Sequence, residues 1–329
     1  MKILVTGGLG FIGSNFILRV LNKYPKFKIT NIDAELLGSN KQNLKDLKNN
    51  KNYDYIRGNI TNKKLIDKLI SKADVVFNFA AESHVDRSIF DPKPFINSNI
   101  VGVYTILEAV RKYKKKFIQI STDEVFGSLK SGSAGERHAF NPSSPYAASK
   151  ASAELLVQSY NTTYDCNTII TRSTNNYGPQ QSPEKLIPKA IILAEKNKKI
   201  PIYGSGKNIR DWIFIIDHCD AILRVFFKGK PGQLYNIAGS NEVDNLTIIK
   251  KILKIMDKSS DLIQFVADRP GHDFRYSLDS SKIYKELHWK PAYNFEKGLE
   301  YTIKWYLKNK NWWKNISPKI LSSTPWKTR

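Results

Sequence analysis

The chain begins with a strand, a glycine-rich turn and a helix in immediate succession, and that order leaves few folds open. Lys2 to Val5 is a short apolar run that predicts a strand, and Ser14 to Asn22 predicts a helix. Between them, Gly8-x-Gly10-x-x-Gly13 satisfies the dinucleotide fingerprint, and Gly7-x-x-Gly10-x-x-Gly13 overlaps it. Glycines there permit a tight turn and a close approach of backbone to a pyrophosphate, whose charge sits at the helix N-terminus. The next apolar run, Ile29 to Ile32, ends in Asp33. An acid about twenty residues past the glycines accepts ribose hydroxyls and repels a 2′-phosphate, so NAD is favoured over NADP. The expected fold is α/β: a doubly wound parallel sheet of Rossmann type with a smaller C-terminal α/β substrate domain.

Phe117-Ile118-Gln119-Ile120 predicts a further strand, and it ends in Ser121-Thr122-Asp123-Glu124. Ligands of open α/β sheets sit beyond the carboxyl ends of the strands, so these polar side chains stand where chemistry occurs. After the turn Asn141-Pro142-Ser143-Ser144-Pro145, a helix is expected near Tyr146, with Ser144 as N-cap and Pro145 close to the first position. Tyr146 and Lys150 then share one helix face. An ammonium beside a phenol lowers the phenol pKa, which suits Tyr146 to act as a base near neutral pH. The same spacing recurs at Tyr24/Lys28, Tyr203/Lys207, Tyr293/Lys297 and Tyr306/Lys310, where a solvated helix pair is the plain reading. Tyr146 differs because the glycine fingerprint, a polar strand end and a capped helix start precede it.

Tyr53 to Ile60, carrying Asn59, and Asp74 to Phe79 are further predicted strands. Ala80-Ala81-Glu82-Ser83-His84 follows, and its small residues let a cofactor lie close to the strand end. His84 reads as a hydrogen-bonded structural histidine, with a catalytic role as the alternative. Ile96 to Tyr113 and Ala147 to Tyr164 predict long helices, which offer either a dimer surface or an internal packing face. After the strand Asn167 to Thr171, strict alternation lapses. A helix opens over Pro183 to Pro188, Ile200 to Tyr203 is extended, and Gly204-Ser205-Gly206 is a turn. Phe214 to Asp217 and the helix after it return to the sheet. Tyr235 to Ile237 is a late strand, and Phe295 to Leu307 is a C-terminal helix. Residues 1–174, with 211–240 returning, are expected to form the cofactor domain, and 175–329 mainly the substrate domain. Trp312, Trp313 and Trp326 in the tail carry no assigned role.

A chain of 329 residues can bury a full core without staples, and 41% hydrophobic with 25% charged residues is ordinary globular composition. Cys166 and Cys219 stand far apart in no metal or redox spacing, which points to a reducing, cytoplasmic setting and to no metal site. The N-terminus runs straight into a strand and no apolar run is long enough to span a membrane, so neither signal peptide nor membrane is expected. The formal net charge is +22, but the lysines are scattered and no nucleic-acid motif occurs. Spread charge reads as solubility, and as attraction for an anionic substrate rather than nucleic acid.

Taken with the glycine fingerprint, Tyr146-x-x-x-Lys150 resembles the extended short-chain dehydrogenase/reductases. Within them the chain is similar, over nearly its whole length, to the dTDP-glucose 4,6-dehydratase family. The likeness is carried by A-A-E-S-H-V-D-R-S-I from Ala80, S-T-D-E-V-F-G from Ser121, S-S-P-Y-A-A-S-K-A-S from Ser143, N-N-Y-G-P from Asn175, P-E-K-L-I-P from Pro183, R-D-W from Arg210 and D-R-P-G-H-D from Asp268. Thr122-Asp123-Glu124 is the most specific of these, because epimerases and decarboxylases of the superfamily lack it.

By that resemblance Tyr146 takes the proton of the sugar 4-hydroxyl, and Lys150 holds the phenolate and the nicotinamide ribose. Asp123 is the acid for the leaving 6-hydroxyl, Glu124 the base at C5, and Thr122 a donor to the 4-oxygen. The resemblance implies NAD held by Gly7, Gly10, Phe11, Ile12, Gly13, Asp33, Asn59, Ile60, Phe79, Ala80, Ala81, Ser83, Ser98, Tyr146, Lys150 and Asn176. It implies a nucleotide-diphosphate sugar, dTDP-glucose, held by Ser83, Thr122, Asn175, Lys185, Leu186, Pro201, Ile202, Tyr203, Arg210, Asn245, Arg269 and His272. Guanidinium forks at Arg210 and Arg269 suit a diphosphate, against the plain reading of surface ion pairs. A cytoplasmic homodimer working in deoxysugar (rhamnose) synthesis for polysaccharide is the further implication.

Several positions depart from the family pattern. Ala34-Glu35-Leu36-Leu37-Gly38-Ser39 replaces a Lys-Leu-Thr-Tyr-Ala-Gly-like run, Asn59 stands for an aspartate, Phe126 for a tyrosine, and Gly127 to Phe140 is shorter than in many relatives. The rival readings are a UDP-glucose 4,6-dehydratase, a related NAD-dependent epimerase or decarboxylase, and a non-catalytic NAD-sensing or nucleic-acid-binding module.

Overall fold

A computed structural model of the chain describes residues 1–314 and Leu321, so Trp326 lies outside the described residues. Strand and helix alternate through the first half: β1 (Lys2–Thr6), α1 (Phe11–Lys23), β2 (Lys28–Asp33), β3 (Tyr53–Arg57), α2 (Lys63–Lys72), β4 (Val75–Asn78), the short α3 (Val85–Phe90) and α4 (Lys93–Phe95), α5 (Gly102–Tyr113), β5 (Lys116–Thr122), α6 (Pro145–Tyr164) and β6 (Thr168–Ser173). The second half is more mixed: β7 (Asn175–Tyr177), α7 (Leu186–Glu195), β8 (Ile200–Tyr203), β9 (Ile209–Phe214), α8 (Ile215–Lys228), β10 (Leu234–Ile237), β11 (Glu242–Asp244), α9 (Asn245–Ile255), β12 (Ile263–Val266), α10 (Ser281–Leu287), α11 (Phe295–Lys308) and α12 (Lys310–Trp313).

Seven parallel strands form the main sheet in the order β10-β6-β5-β4-β1-β2-β3. This is the doubly wound α/β sheet expected from the sequence. Its central strands read as unbroken apolar runs because helices cover both faces. Successive residues of β1 point to opposite layers: Ile3 and Val5 join Phe16, Phe77 and Phe226 under α1 and α8. Leu4 joins Ile66, Ile106, Phe117 and Val157 under α2, α5 and α6. Two small sheets, β11-β9-β7 and β12-β8, stand beside the main one.

Some boundaries differ from those expected. The strand from Tyr53 ends at Arg57, so Asn59 lies in the following loop. Helix α1 starts at Phe11, directly after the last turn glycine but one. Lys185 is the N-cap of α7, so the helix starts after Pro183 rather than at it. Phe214 closes β9 of a small sheet, not a main-sheet strand; α8 begins at Ile215, and the chain rejoins the main sheet only at β10. The helix expected from Ile96 opens as a π turn over Ile96–Val101 before α5. That widened turn carries buried Asn99, whose amide donates to Ser149 Oγ at 2.8 Å and to the Glu82 carbonyl at 3.0 Å. It ties α6 to the loop after β4.

One buried ion pair fixes α6 against β6. The Arg172 guanidinium meets the Glu154 carboxylate at 2.6 to 3.0 Å, with the two side chains 2% and 0% exposed. Removing one partner of such a pair strands a charge in the interior and costs about 3–5 kcal/mol. Arg172→Met is therefore expected to lower the unfolding free energy by about that amount in a denaturant titration. The double variant Arg172→Met, Glu154→Leu is expected to recover most of the loss.

Candidate active site

The glycine turn is shaped by close backbone contact. Gly7 has a φ of +69°, and a Cβ there would lie 2.6 Å from the backbone of Ala80. A Cβ on Gly13 would lie 2.5 Å from the Gly7 carbonyl. Gly7, Gly10 and Gly13 line a cleft of about 290 Å³, while Gly8 packs against Asn31. The overlapping glycine spacing, not the one beginning at Gly8, is thus the one that faces the cleft. Gly10 caps α1 without a side chain, which leaves first-turn N–H groups for an anion.

Every residue expected to touch a dinucleotide lines this one cleft, from Gly7, Phe11 and Ile12 through Asp33, Asn59, Ile60, Phe79, Ala80, Ala81, Ser83 and Ser98 to Tyr146, Lys150 and Asn176. Asp33 holds its own loops as well: it accepts from Leu9 N at 2.9 Å, Glu35 N at 2.8 Å and the Ser39 hydroxyl at 2.7 Å. Leu36, Leu37, Gly38 and Ser39, where the chain departs from the pattern of the family it resembles, also line the cleft. Asn59 accepts from both the N–H and the hydroxyl of Thr61 at 2.9 Å.

Strand β5 delivers Thr122, and a 3₁₀ turn over Asp123–Phe126 follows. The Thr122 hydroxyl caps that turn by accepting from Glu124 N at 3.3 Å, and it donates to Asp123 Oδ1 at 3.1 Å. Asp123 is 3% exposed, and its Oδ2 has no hydrogen-bond partner among the described residues. Burial pushes the Asp123 carboxyl well above the ordinary range, and the charge of Glu124 adds to the push. Burial raises Glu124 too, but Arg269, Lys185 and Arg210 pull it back down. Asp123 is therefore the more strongly raised of the two, which suits it to hold a proton more readily than Glu124.

Ser144 caps α6 by accepting from Ala147 N at 3.1 Å, with Pro145 at the first position, as the sequence implied. Tyr146 and Lys150 lie on one face of that helix and both reach the cleft. Their mutual electrostatics differ from expectation. Lys150 donates to the Ile120 carbonyl at 2.7 Å, and burial lowers it to about 8 against the opposing pull of Glu154. The Tyr146 phenol is raised, first by burial and then by the negative charge of Glu124, with a hydrogen bond to Thr122 working the other way. Helix spacing set the shared face; the reach of the lysine toward β5 and the nearby carboxyls set the charges.

A second cavity of about 160 Å³ adjoins the first and shares Glu124, Asn175, Glu184 and Lys185 with it. It holds the remaining residues expected at the substrate: Leu186, Pro201, Ile202, Tyr203, Arg210, Asn245, Arg269 and His272. Arg210 stacks on Tyr276 at 4.2 Å and gives three N–H bonds, two from Nη1 and one from Nη2, to the carbonyls of Ile209, Phe274 and Asp273. Arg269 is paired, but inside the protein rather than on its surface: Nη1 lies 2.8 Å from Asp86 Oδ1. His272 bonds Asp268 at 2.6 Å, and burial brings it down to about 4.

Several lining residues had not been singled out. Asp86, Glu184, Lys189, Trp212 and Tyr276 all face the second cavity. Asp86 and Glu184 fall inside blocks quoted from the sequence, so the signal was present; Tyr276 had none. His84 is buried but not satisfied as a structural histidine would be. Its Nδ1 has no partner among the described residues, Nε2 stands 3.6 Å from Glu184, and burial keeps the ring neutral.

Comparison with known proteins bears on this geometry. Residues 4–302 match the family model described as GDP-mannose 4,6 dehydratase. A dTDP-glucose 4,6-dehydratase of Xanthomonas campestris pv. campestris is 42% identical, over 94% of each chain. The crystal structure of a Bacillus anthracis dTDP-glucose 4,6-dehydratase in complex with NAD superposes with a TM-score of 0.90 at 45% identity, covering 95% of this chain and 99% of that one. A Streptomyces venezuelae dTDP-glucose 4,6-dehydratase, solved with NAD and a second ligand bound, gives a TM-score of 0.94 at 39% identity, again over 95% and 99%.

The raised carboxyl at position 123 has a thermodynamic consequence. Between the ordinary aspartate pKa of about 4 and the higher folded value, the folded state binds more protons than the unfolded one, so stability falls as pH rises. Asp123→Asn removes that penalty. It is expected to melt a few degrees higher than the parent at pH 8, with the gap closing near pH 4, in paired thermal scans.

Proposed function

The chain belongs to the GDP-mannose 4,6-dehydratase family and, within it, to the dTDP-glucose 4,6-dehydratases, and from that premise we propose that it converts dTDP-glucose to dTDP-4-keto-6-deoxyglucose with a resident NAD. The observation that carries the reading is the pair of neighbouring carboxyls at the end of β5, both raised by burial and Asp123 the more strongly, lining the same cleft as Tyr146 and Lys150. The cleft suits the cofactor: its turn has no room for a Cβ at Gly7, and the first turn of α1 is uncapped by any side chain.

When bound, NAD supplies the hydride acceptor and later the hydride donor. The chain's own work is orientation and proton movement. Tyr146 Oη has to start as phenolate. The positive charges of Lys150 and of an oxidised nicotinamide would oppose the upward push of burial and Glu124. The phenolate would then take the proton of the 4-hydroxyl as hydride leaves C4 and C4 becomes a ketone. With a pKa of about 8, Lys150 stays largely protonated at neutral pH, so the cleft keeps a cation for the phenolate. A ketone at C4 makes C5–H acidic, and Glu124 removes that proton. Asp123 gives its proton to the 6-hydroxyl as the C6–O bond breaks and water departs. Hydride is delivered to C6, and Glu124 returns its proton to C5. Tyr146 has gained one proton and Asp123 has lost one; Thr122, bonded to both, lies between them to restore the balance.

Arg210 and Arg269 would hold the diphosphate in the second cavity, and Lys185 would serve both cavities. A homodimer fits the outward apolar side chains Ile96 and Val101 of the π turn, Tyr104 of α5 and Leu155 of α6, which are 42–56% exposed. Buried, unpaired Cys166 and Cys219 suit a reducing cytoplasm, and no helix among the described residues is long and apolar enough to cross a membrane. Rhamnose synthesis for surface polysaccharide is the pathway that this product class suits.

Pure protein given dTDP-glucose and no added NAD is expected to release a product lighter by one water, carrying a ketone. Recovery of unchanged sugar refutes the reading. Glu124→Gln is expected to lower kcat by about 10²–10⁴ and to stop solvent deuterium from entering C5, read by mass spectrometry and NMR. UDP-glucose assayed in parallel is expected to turn over more slowly; equal or faster turnover would favour the uridine substrate.

A further inference from the structure

The aromatic C-terminal segment, which the reading of function leaves unused, reaches the glycine turn. Trp312 in α12 donates its indole N–H to Asn43 Oδ1 at 2.8 Å. Asn43 stands in a 3₁₀ segment, Lys41–Leu47, and is 4% exposed. Its amide nitrogen donates to the carbonyl of Leu9 at 2.9 Å, in the middle of the turn. Leu9 is thereby held on both sides, since its N–H donates to Asp33 at 2.9 Å. Gln180 fastens the same patch to α1: its amide nitrogen donates to the Asn43 carbonyl at 3.0 Å, and its oxygen accepts from the Ser14 hydroxyl at 3.1 Å. Trp312 is itself wedged against Trp305 and Tyr306, with ring centroids 5.2 and 6.0 Å away.

An indole can donate but not accept, so it dictates which end of the Asn43 amide faces it. Turned round, that amide would set its NH₂ against the indole N–H and its oxygen against the Leu9 carbonyl. Two hydrogen bonds would be lost at a buried position, where unmade bonds are costly. We propose that Trp312 and Asn43 are positioning residues for the glycine turn, through which the C-terminal segment sets how firmly the dinucleotide is held. The proposal rests on the reading of the cleft as an NAD site. In that reading the cofactor must remain in place through two hydride transfers, so looseness in the turn is felt as lost cofactor.

The test compares full-length variants, stripped of cofactor and titrated with NAD by calorimetry. Trp312→Phe keeps a ring and removes the donor. Asn43→Asp puts an oxygen against the Leu9 carbonyl. Trp305→Phe is the control, a ring neighbour whose indole makes no bond to Asn43. Losing one such bond is worth about a fivefold change, so the NAD dissociation constant is expected to rise about fivefold in Trp312→Phe and at least as much in Asn43→Asp. Trp305→Phe is expected to match the parent, and kcat at saturating NAD to stay unchanged in Trp312→Phe. Parental NAD affinity in Trp312→Phe, with or without a lowered melting temperature, overturns the proposal. A parent protein that takes up no NAD overturns the cofactor reading beneath it, and this proposal with it.

Discussion

Loss of water around Asp123 and Glu124 is the interaction on which the site depends. Two adjacent carboxyls in solution would both ionise. Placed at the tip of β5, with Asp123 sealed and Glu124 eased by Arg210, Arg269 and Lys185, they are raised to different extents. The sheet supplies that difference: β5 runs between β4 and β6, so its end opens where the two cavities meet. The small sheets and the loops around them bring the cations, and α6 brings the phenol and the ammonium. Acid and base roles thus follow from where the chain puts solvent, not from residue type.

Much of the main sheet was legible because parallel strands buried on both faces leave continuous apolar runs, as at Leu4, Phe77 and Phe117. Of the cofactor cleft, the glycine turn, Asp33 and the small residues after Phe79 were legible from local pattern, whereas Ser98 and Asn176 were reached only through the family resemblance. The second half was harder. Its strands are three to six residues long and pair across distant segments, as β9 does with β7 and β11, so local pattern did not reveal Phe214 as the end of a small-sheet strand. The π turn at Ile96 left no periodic mark either.

Charge was the least legible property. Spacing alone put Lys150 beside Tyr146, yet where a long side chain ends depends on what it can reach, and here that is a carbonyl of β5. The same holds for His84, whose partner Glu184 comes from a segment remote in sequence. Arg269 and Asp86 were each in quoted blocks, but nothing in either block announces that they meet.

The crowding at the glycine turn also separates two kinds of steric constraint. A side chain at Gly8 would strike the tips of Asn31 and Ile17, which smaller neighbours could vacate. A side chain at Gly7 would strike the main chain of Ala80, which every amino acid possesses. The first position is open to drift through a compensating change elsewhere; the second has no suppressor anywhere in the sequence, short of moving the strand itself.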